Sequence, residues 1–333
     1  DGVRIGLALI VVFAHLYALS QLPDFKFFET IFDSNFAVKG FFAISGFLVT
    51  KSYLTSSNTL QYAEKRFRRI YPAYTTAIIL CLCIGAFATT LSFYDFVKSP
   101  QTAKYLVSNL AFLNFIQPTL PFVFDSNTTQ ALNGALWTIK VEVMLYFCVP
   151  TLIYLFNRFG STKIAFSIIL LSIFWVYFFT YAFSGNKGEE IARQFPGQLS
   201  YFCIGSLLAV NKKILDYVKW IALFSTLALF ATSNPIAKLF IDPVAYSSIV
   251  IFLSTVAFRS LNFGKYGDIS YGIYLYHFPI IQLIIFLGFF EVNVWIGLLV
   301  TFLLTIAAAL LSWHLIEKRL LRRTSHYVLV AKS

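Results

Sequence analysis

Arg4 and His15 are the residues whose type and spacing point most clearly to chemistry. Eleven positions separate them within an otherwise apolar stretch, Gly2 to Ser20. On an α-helix eleven steps make three turns plus roughly 20° and about 16 Å of rise, so the two side chains share one face. An imidazole that deep in an apolar span is expensive, which makes it a functional candidate by default. Lys140 and Glu142 open a second apolar run, and Lys39 lies near the start of a third. A His beside a Glu in a low-dielectric cavity is suited to general-base work. The carboxylate orients the imidazole and stabilises its protonated form, and the imidazole takes the proton of a hydroxyl attacking a thioester. No nucleophilic Ser or Cys is required. A structural histidine, hydrogen-bonded inside a bundle, is the competing reading of His15, and the sequence leaves both open.

Basic residues crowd the start of another run, in Ala63-Glu64-Lys65-Arg66-Phe67-Arg68-Arg69-Ile70-Tyr71-Pro72. Pro72 is expected in the first helical turn. Arg66 and Arg69, three apart, share a helical face, and such a pair can clamp a phosphorylated ligand by bidentate contacts. A positive-inside anchor on lipid headgroups explains the same cluster. Lys39 and Lys140 likewise sit close enough to segment ends to snorkel to the interface.

The elements that must position these groups are membrane spans. Of 333 residues, 58% are hydrophobic and 12% charged, against about 45–50% and 25% in soluble domains. Mean hydropathy is +0.74, so an ordinary soluble domain is excluded. Apolar runs long enough to span lie near 2–20, 36–54, 70–91, 136–157, 162–182, 196–211, 217–232, 243–258, 270–290 and 294–317. The expected fold is an all-α polytopic transmembrane bundle of about ten helices. It would form one integral-membrane domain over 1–333 with no appended soluble domain.

Ten spans put both termini on one side. That side receives Lys51, Lys65, Arg66, Arg68, Arg69, Arg158, Lys163, Lys212, Lys213, Lys219, Arg259, Lys265, Lys318, Arg319, Arg322, Arg323 and Lys332. The other side receives only Lys26, Lys98, Lys104, Lys187, Arg193 and Lys238. The positive-inside rule therefore makes both termini cytoplasmic. The net charge of +11 is mostly topology, and no nucleic-acid partner is expected. On this topology His15, Lys39, Lys140 and Glu142 all fall in the outer third of the membrane, where they could converge on one cavity. His277, seven residues from the cytoplasmic end of its span, lies too far from His15 in depth to be its partner.

The longest stretch outside the spans, 92–135, is expected on the extracytoplasmic side. It contains a patchily apolar piece, 103–117, read as an interfacial or re-entrant helix, followed by turn-forming Pro, Asn and Gly residues. Cys81, Cys83, Cys148 and Cys203 lie inside spans at spacings that suit neither zinc nor a disulfide framework. No metal is expected.

Six motifs in order resemble the membrane-bound acyltransferase family 3, the O-acetyltransferases of bacterial surface glycans. Asp1-Gly2-Val3-Arg4 with His15 resembles its Arg-x10-His signature, and Gly40 to Leu48 its second-helix motif. Arg66 to Pro72 is similar to its Arg-x-x-Arg element at the start of helix three, and Asn133 to Glu142 to its Trp-containing segment ending in Glu. Ile269 to His277 and Ile316-Glu317-Lys318 resemble its last two helices. Where many relatives carry an acidic residue before Gly-Phe-Phe, this chain has Lys39.

The resemblance implies a multi-pass protein of the bacterial inner membrane. Its donor would be acetyl-CoA, taken from the cytoplasm as a co-substrate with no resident cofactor. Its acceptor would be a glycan or lipid-linked saccharide on the other face. Arg4 and His15 would be the essential pair, Glu142 would support His15, and Arg66 and Arg69, with Arg68 between them, would meet the donor's phosphates. Lys140, Trp137 and Lys39 are candidates for acceptor or oxyanion contacts. Direct transfer and an acyl-His15 intermediate both remain open. A transporter or flippase for a lipid-linked glycan is the rival reading.

Overall fold

Each expected span overlaps a helix, though the helices at Thr59 and Pro235 begin well before the expected 70 and 243. The computed structural model describes residues 2–183, 186–258 and 268–321. Its long helices are α1 (Gly2–Ser20), α2 (Ser34–Leu54), α3 (Thr59–Ala88), α4 (Trp137–Phe159), α5 (Ser161–Ala182), α6 (Phe195–Val210), α7 (Val218–Ala231), α8 (Pro235–Phe252), α9 (Ser270–Phe286) and α10 (Val294–Ser312). The last continues into a π-helical turn, Trp313–Glu317. No strand occurs among the described residues. Asp1, Arg259, Lys265, Arg322, Arg323 and Lys332 lie outside them.

Among the described residues six segments are long and apolar enough to cross a bilayer: Gly2–Ser20, Thr59–Ala88, Gly134–Phe159, Ser161–Ala182, Pro235–Ala257 and Val294–Leu320. The chain is a multi-pass membrane protein. Helices α6, α7 and α9 run only 16, 14 and 17 residues. At ~1.5 Å per residue they fall short of a hydrocarbon core of ~30 Å. Helix α2 has 21 residues but mixes Lys39 and Lys51 with Ser, Thr and Gly.

Two compact units divide the chain, Asp1–Ser34 with Glu64–Lys140 and Asn262–Ser333, and Asn35–Ala63 with Val141–Leu261. In the first, α1 and α10 both pack on α9. The second packs α6 on α5 and α8, and α7 on α8. There Gly46 and Gly205 make a close crossing of α2 and α6. A Cβ on Gly46 would stand 2.0 Å from the Phe202 carbonyl oxygen, and one on Gly205 would stand 2.1 Å from that of Ala43. Such small-residue contacts let helix backbones approach where lipid supplies no hydrophobic drive.

Interior prolines organise both units. Proline lacks an N–H and so orphans the carbonyl four residues earlier. Pro279 in α9 leaves the Leu275 carbonyl, which accepts from Asn133 Nδ2 at 2.8 Å. Pro150 in α4 leaves the Tyr146 carbonyl, which accepts from the Tyr62 hydroxyl at 2.9 Å. Pro72, expected in a first turn, is interior as well, because α3 starts at Thr59.

The segment 92–135 also departs from expectation. Its helices are Phe93–Lys98 and Pro100–Leu110, so the second starts and ends earlier than 103–117. Asn109 ends it by donating to the Gln117 carbonyl at 3.1 Å, while its own carbonyl accepts from the Tyr74 hydroxyl at 2.8 Å. Phe112 then takes φ 61°, outside helical space. Further on, the fully buried Gln282 of α9 donates to the Ala131 carbonyl at 2.9 Å, and its side-chain oxygen accepts from Asn127 Nδ2 at 3.0 Å. This loop is therefore pinned along α9.

Candidate functional site

In the first unit α1 meets the chain around α9 at two levels. At one level Arg4 Nη1 lies 2.5 Å from Asp268 Oδ2. At the other, His15 Nδ1 lies 2.8 Å from His277 Nε2. Arg4 and His15 do share a face, as eleven helical steps require.

The histidine rings are nearly parallel, at 6°, with centroids 5.1 Å apart. That separation is the N···N distance plus one ring radius on each side, so the rings lie end to end rather than face to face. His277 Nδ1 lies 3.1 Å from the Ile273 carbonyl oxygen. Phe278 stands edge-on to His15, with centroids 5.4 Å apart. Its own ring rests on Gly134, where a Cβ would come within 2.8 Å of it. A side chain at that position would have to push the ring aside. Asn133 and Gly134 therefore grip α9 on both sides of His277 through Leu275 and Phe278.

His277, expected too far from His15 in depth to be its partner, lies beside it instead. Because α9 has only 17 residues, a position seven from its start is near its middle. Asp268, level with Arg4, precedes that start. The start is thereby offset along α1 towards His15.

The Arg4 level is a buried ion network. Asp268 Oδ2 is shared by Arg4 and Arg69 Nη2, and Asp268 Oδ1 accepts from the Ser270 hydroxyl at 2.6 Å. Arg69 Nη1 reaches Glu317 Oε2 at 2.7 Å. The other oxygen of Glu317 accepts from Ser312, which in turn accepts from Tyr276, at 3.0 and 2.9 Å. Tyr271 and Trp313 rings flank the Arg69 guanidinium at 5.3 and 5.9 Å. Burial opposes charging Asp268, but the two guanidinium groups and the Ser270 hydroxyl hold its carboxyl well below the usual carboxylate range.

Arg69, expected beside Arg66 at a phosphate, is instead only 5% exposed and engaged by two carboxylates. Arg66 is half-buried. Arg68 is exposed, pairs with Glu64 at 2.8 Å and donates to the Leu320 carbonyl at 3.1 Å. Lys140 Nζ stands over Phe115 at 4.8 Å, and Trp137, half-buried, opens α4. Asp268 was missed by the sequence reading. Its signal was a lone carboxylate two residues before an apolar helix.

Glu142 and Lys39 belong to the second unit. Glu142 Oε1 accepts from the Tyr146 hydroxyl at 2.5 Å and from Ser45 at 3.1 Å. Lys39 Nζ lies 5.5 Å from the ring centres of both Tyr201 and Tyr246, a cation–π seat. In the first unit the side chain at His15 Nδ1 is that of His277; in the second, Glu142 takes Tyr146 and Ser45 as donors.

Residues 1–316 match the acyltransferase domain family. An "O-acetyl transferase" of Shigella phage Sf6 is 29% identical, covering 98% of this chain and 96% of its own. "Nodulation protein 10" of Rhizobium leguminosarum bv. viciae is 27% identical, covering 98% and 94%. No solved structure matches. Nearly the whole length is shared, His15 and His277 included in the matched span, and the chain belongs to the membrane acyltransferase family 3.

Proposed function

We propose that this acyltransferase moves an acetyl group from cytoplasmic acetyl-CoA to a hydroxyl of a surface or lipid-linked glycan on the extracytoplasmic side. Ten helices would cross a bacterial inner membrane, with both termini cytoplasmic. The observation that carries this reading is the seat of His15, a half-buried imidazole held in line by a second, fully buried one. The relative named an O-acetyl transferase supports acetyl as the group moved. The motif resemblance supports CoA as its carrier and a glycan as its destination, and the family match favours transfer over transport.

In this reading Arg66 and Arg68 meet the donor's phosphates, and Arg69 and Arg4 hold their helices through Asp268. His15 is the general base for the acceptor hydroxyl. Trp137 and Lys140 at the start of α4 are candidates to steady the tetrahedral oxyanion. Lys39 is a further candidate for acceptor contact, and Glu142 for support of the base.

The test follows labelled acetyl-CoA into glycan in membrane vesicles from the native host, comparing the natural chain with His15→Ala at matched expression. Loss of about a hundredfold or more is expected for removal of a general base. Equal incorporation by both would sink the assignment of His15.

A further inference from the structure

We propose that His277 is a positioning residue that fixes His15 in the tautomer with a proton on Nδ1 and a bare Nε2. The inference rests on His15 being the base, and it adds what makes that nitrogen basic.

The proton positions follow from the heavy-atom partners. A carbonyl oxygen only accepts, so His277 Nδ1, 3.1 Å from the Ile273 oxygen, carries a proton. In a neutral ring the other nitrogen is then an acceptor. His277 Nε2 faces His15 Nδ1 at 2.8 Å, so His15 donates from Nδ1. For a neutral pair this assignment has one solution, and it leaves the lone pair of His15 on Nε2. The end-to-end alignment of the rings gives that hydrogen bond nearly straight geometry, and Phe278 set against Gly134 limits rotation of both.

The consequence for the reaction is specific. His15 Nε2 takes the proton of the acceptor hydroxyl as the oxygen attacks the thioester carbonyl. A C–O bond forms and the C–S bond breaks. The proton on Nε2 then passes to the departing thiolate, which restores the neutral pair. Throughout, His15 Nδ1–H stays on His277, whose ring neither gains nor loses a proton. Without an acceptor at that place, His15 is free to carry its proton on Nε2, the form favoured in water, and that form has no lone pair on Nε2 to take the hydroxyl proton. A partner that sets the tautomer of a catalytic imidazole acts in this way in other enzymes.

The experiment uses the full-length protein in nanodiscs with 15N-labelled histidine, of which the chain has four. The nitrogen spectrum is expected to show His15 with a protonated Nδ1 and a proton-free Nε2. His277→Gln retains an oxygen able to accept from His15 and is expected to keep kcat within about tenfold. His277→Phe fills the space without accepting; it is expected to lower kcat by about a hundredfold, with the KM for acetyl-CoA unchanged, the scale of a lost base. Its His15 should carry the proton on Nε2. A wild-type spectrum with His15 protonated on Nε2 overturns the proposal, even if neither variant folds. Equal rates for the Gln and Phe variants, with His15→Ala inactive, overturn it while leaving His15 as the base. An active His15→Ala overturns both.

Discussion

Arg4 and Asp268, 264 residues apart in the chain, meet at 2.5 Å. The same carboxylate oxygen also takes Arg69, so one buried acid binds guanidinium groups from both α1 and α3, with Glu317 as the second acid on Arg69. Removing one member of a buried ion pair leaves an uncompensated charge and costs about 3–5 kcal/mol. Asp268→Asn should therefore lower the thermal unfolding midpoint in detergent more than any single arginine-to-glutamine change at exposed Arg68. An unchanged midpoint would show that the network adds nothing to stability.

The same carboxylate predicts a pH dependence. Its folded value is depressed, so at mildly acid pH the unfolded chain binds the extra proton and stability rises with pH. The contribution is full above the ordinary aspartate value of about 4 and is lost as pH falls below it, towards the folded value. The unfolding midpoint should drop on acidification through this window, with a shallower drop in Asp268→Asn. Identical slopes for the two proteins would refute the assignment.

Asn133 is predicted to matter more than its place in a loop suggests. Its side chain fills the carbonyl that Pro279 orphans. Leaving a buried acceptor unmet costs about 1–3 kcal/mol. Asn133→Ala should slacken α9 at His277 and lower acetyl transfer, whereas Asn133→Ala combined with Pro279→Ala, which returns the missing N–H, should regain stability. Failure of the double variant to recover any midpoint would count against this link.

Gly205 tests the crossing of α2 and α6. Its absent side chain admits the Ala43 carbonyl, and overpacking of a tight contact costs about 1–3 kcal/mol. Gly205→Val should reduce the yield of folded protein, while Gly6→Ala, where a Cβ meets nothing within 4 Å, should not. Comparable yields from size-exclusion chromatography would contradict the close packing.

Much of the site was legible because its residues are costly where they stand. Arg4 and His15 stood out against an apolar run, and their shared face followed from helical pitch alone. Pro72 is expected in a first turn because proline favours that position and the basic stretch before it reads as the flank of a span; the stretch is helical nonetheless, with Arg68 paired to Glu64 one turn apart and Arg69 in the Asp268 network. The helix at 103–117 was misplaced because its end is set by Tyr74 and Gln117 acting on Asn109, contacts that no local pattern encodes.

By itself the sequence determined a helical membrane chain and named its expensive side chains, since hydrocarbon forces backbone polar groups into helices and makes each buried charge conspicuous. Only the tertiary structure decided the pairings. His277 came to His15, and Asp268 to Arg4 and Arg69, across 262, 264 and 199 residues of chain. Those pairings depend on how far one helix is offset along another and which face it turns, and spacing within a single helix carries neither.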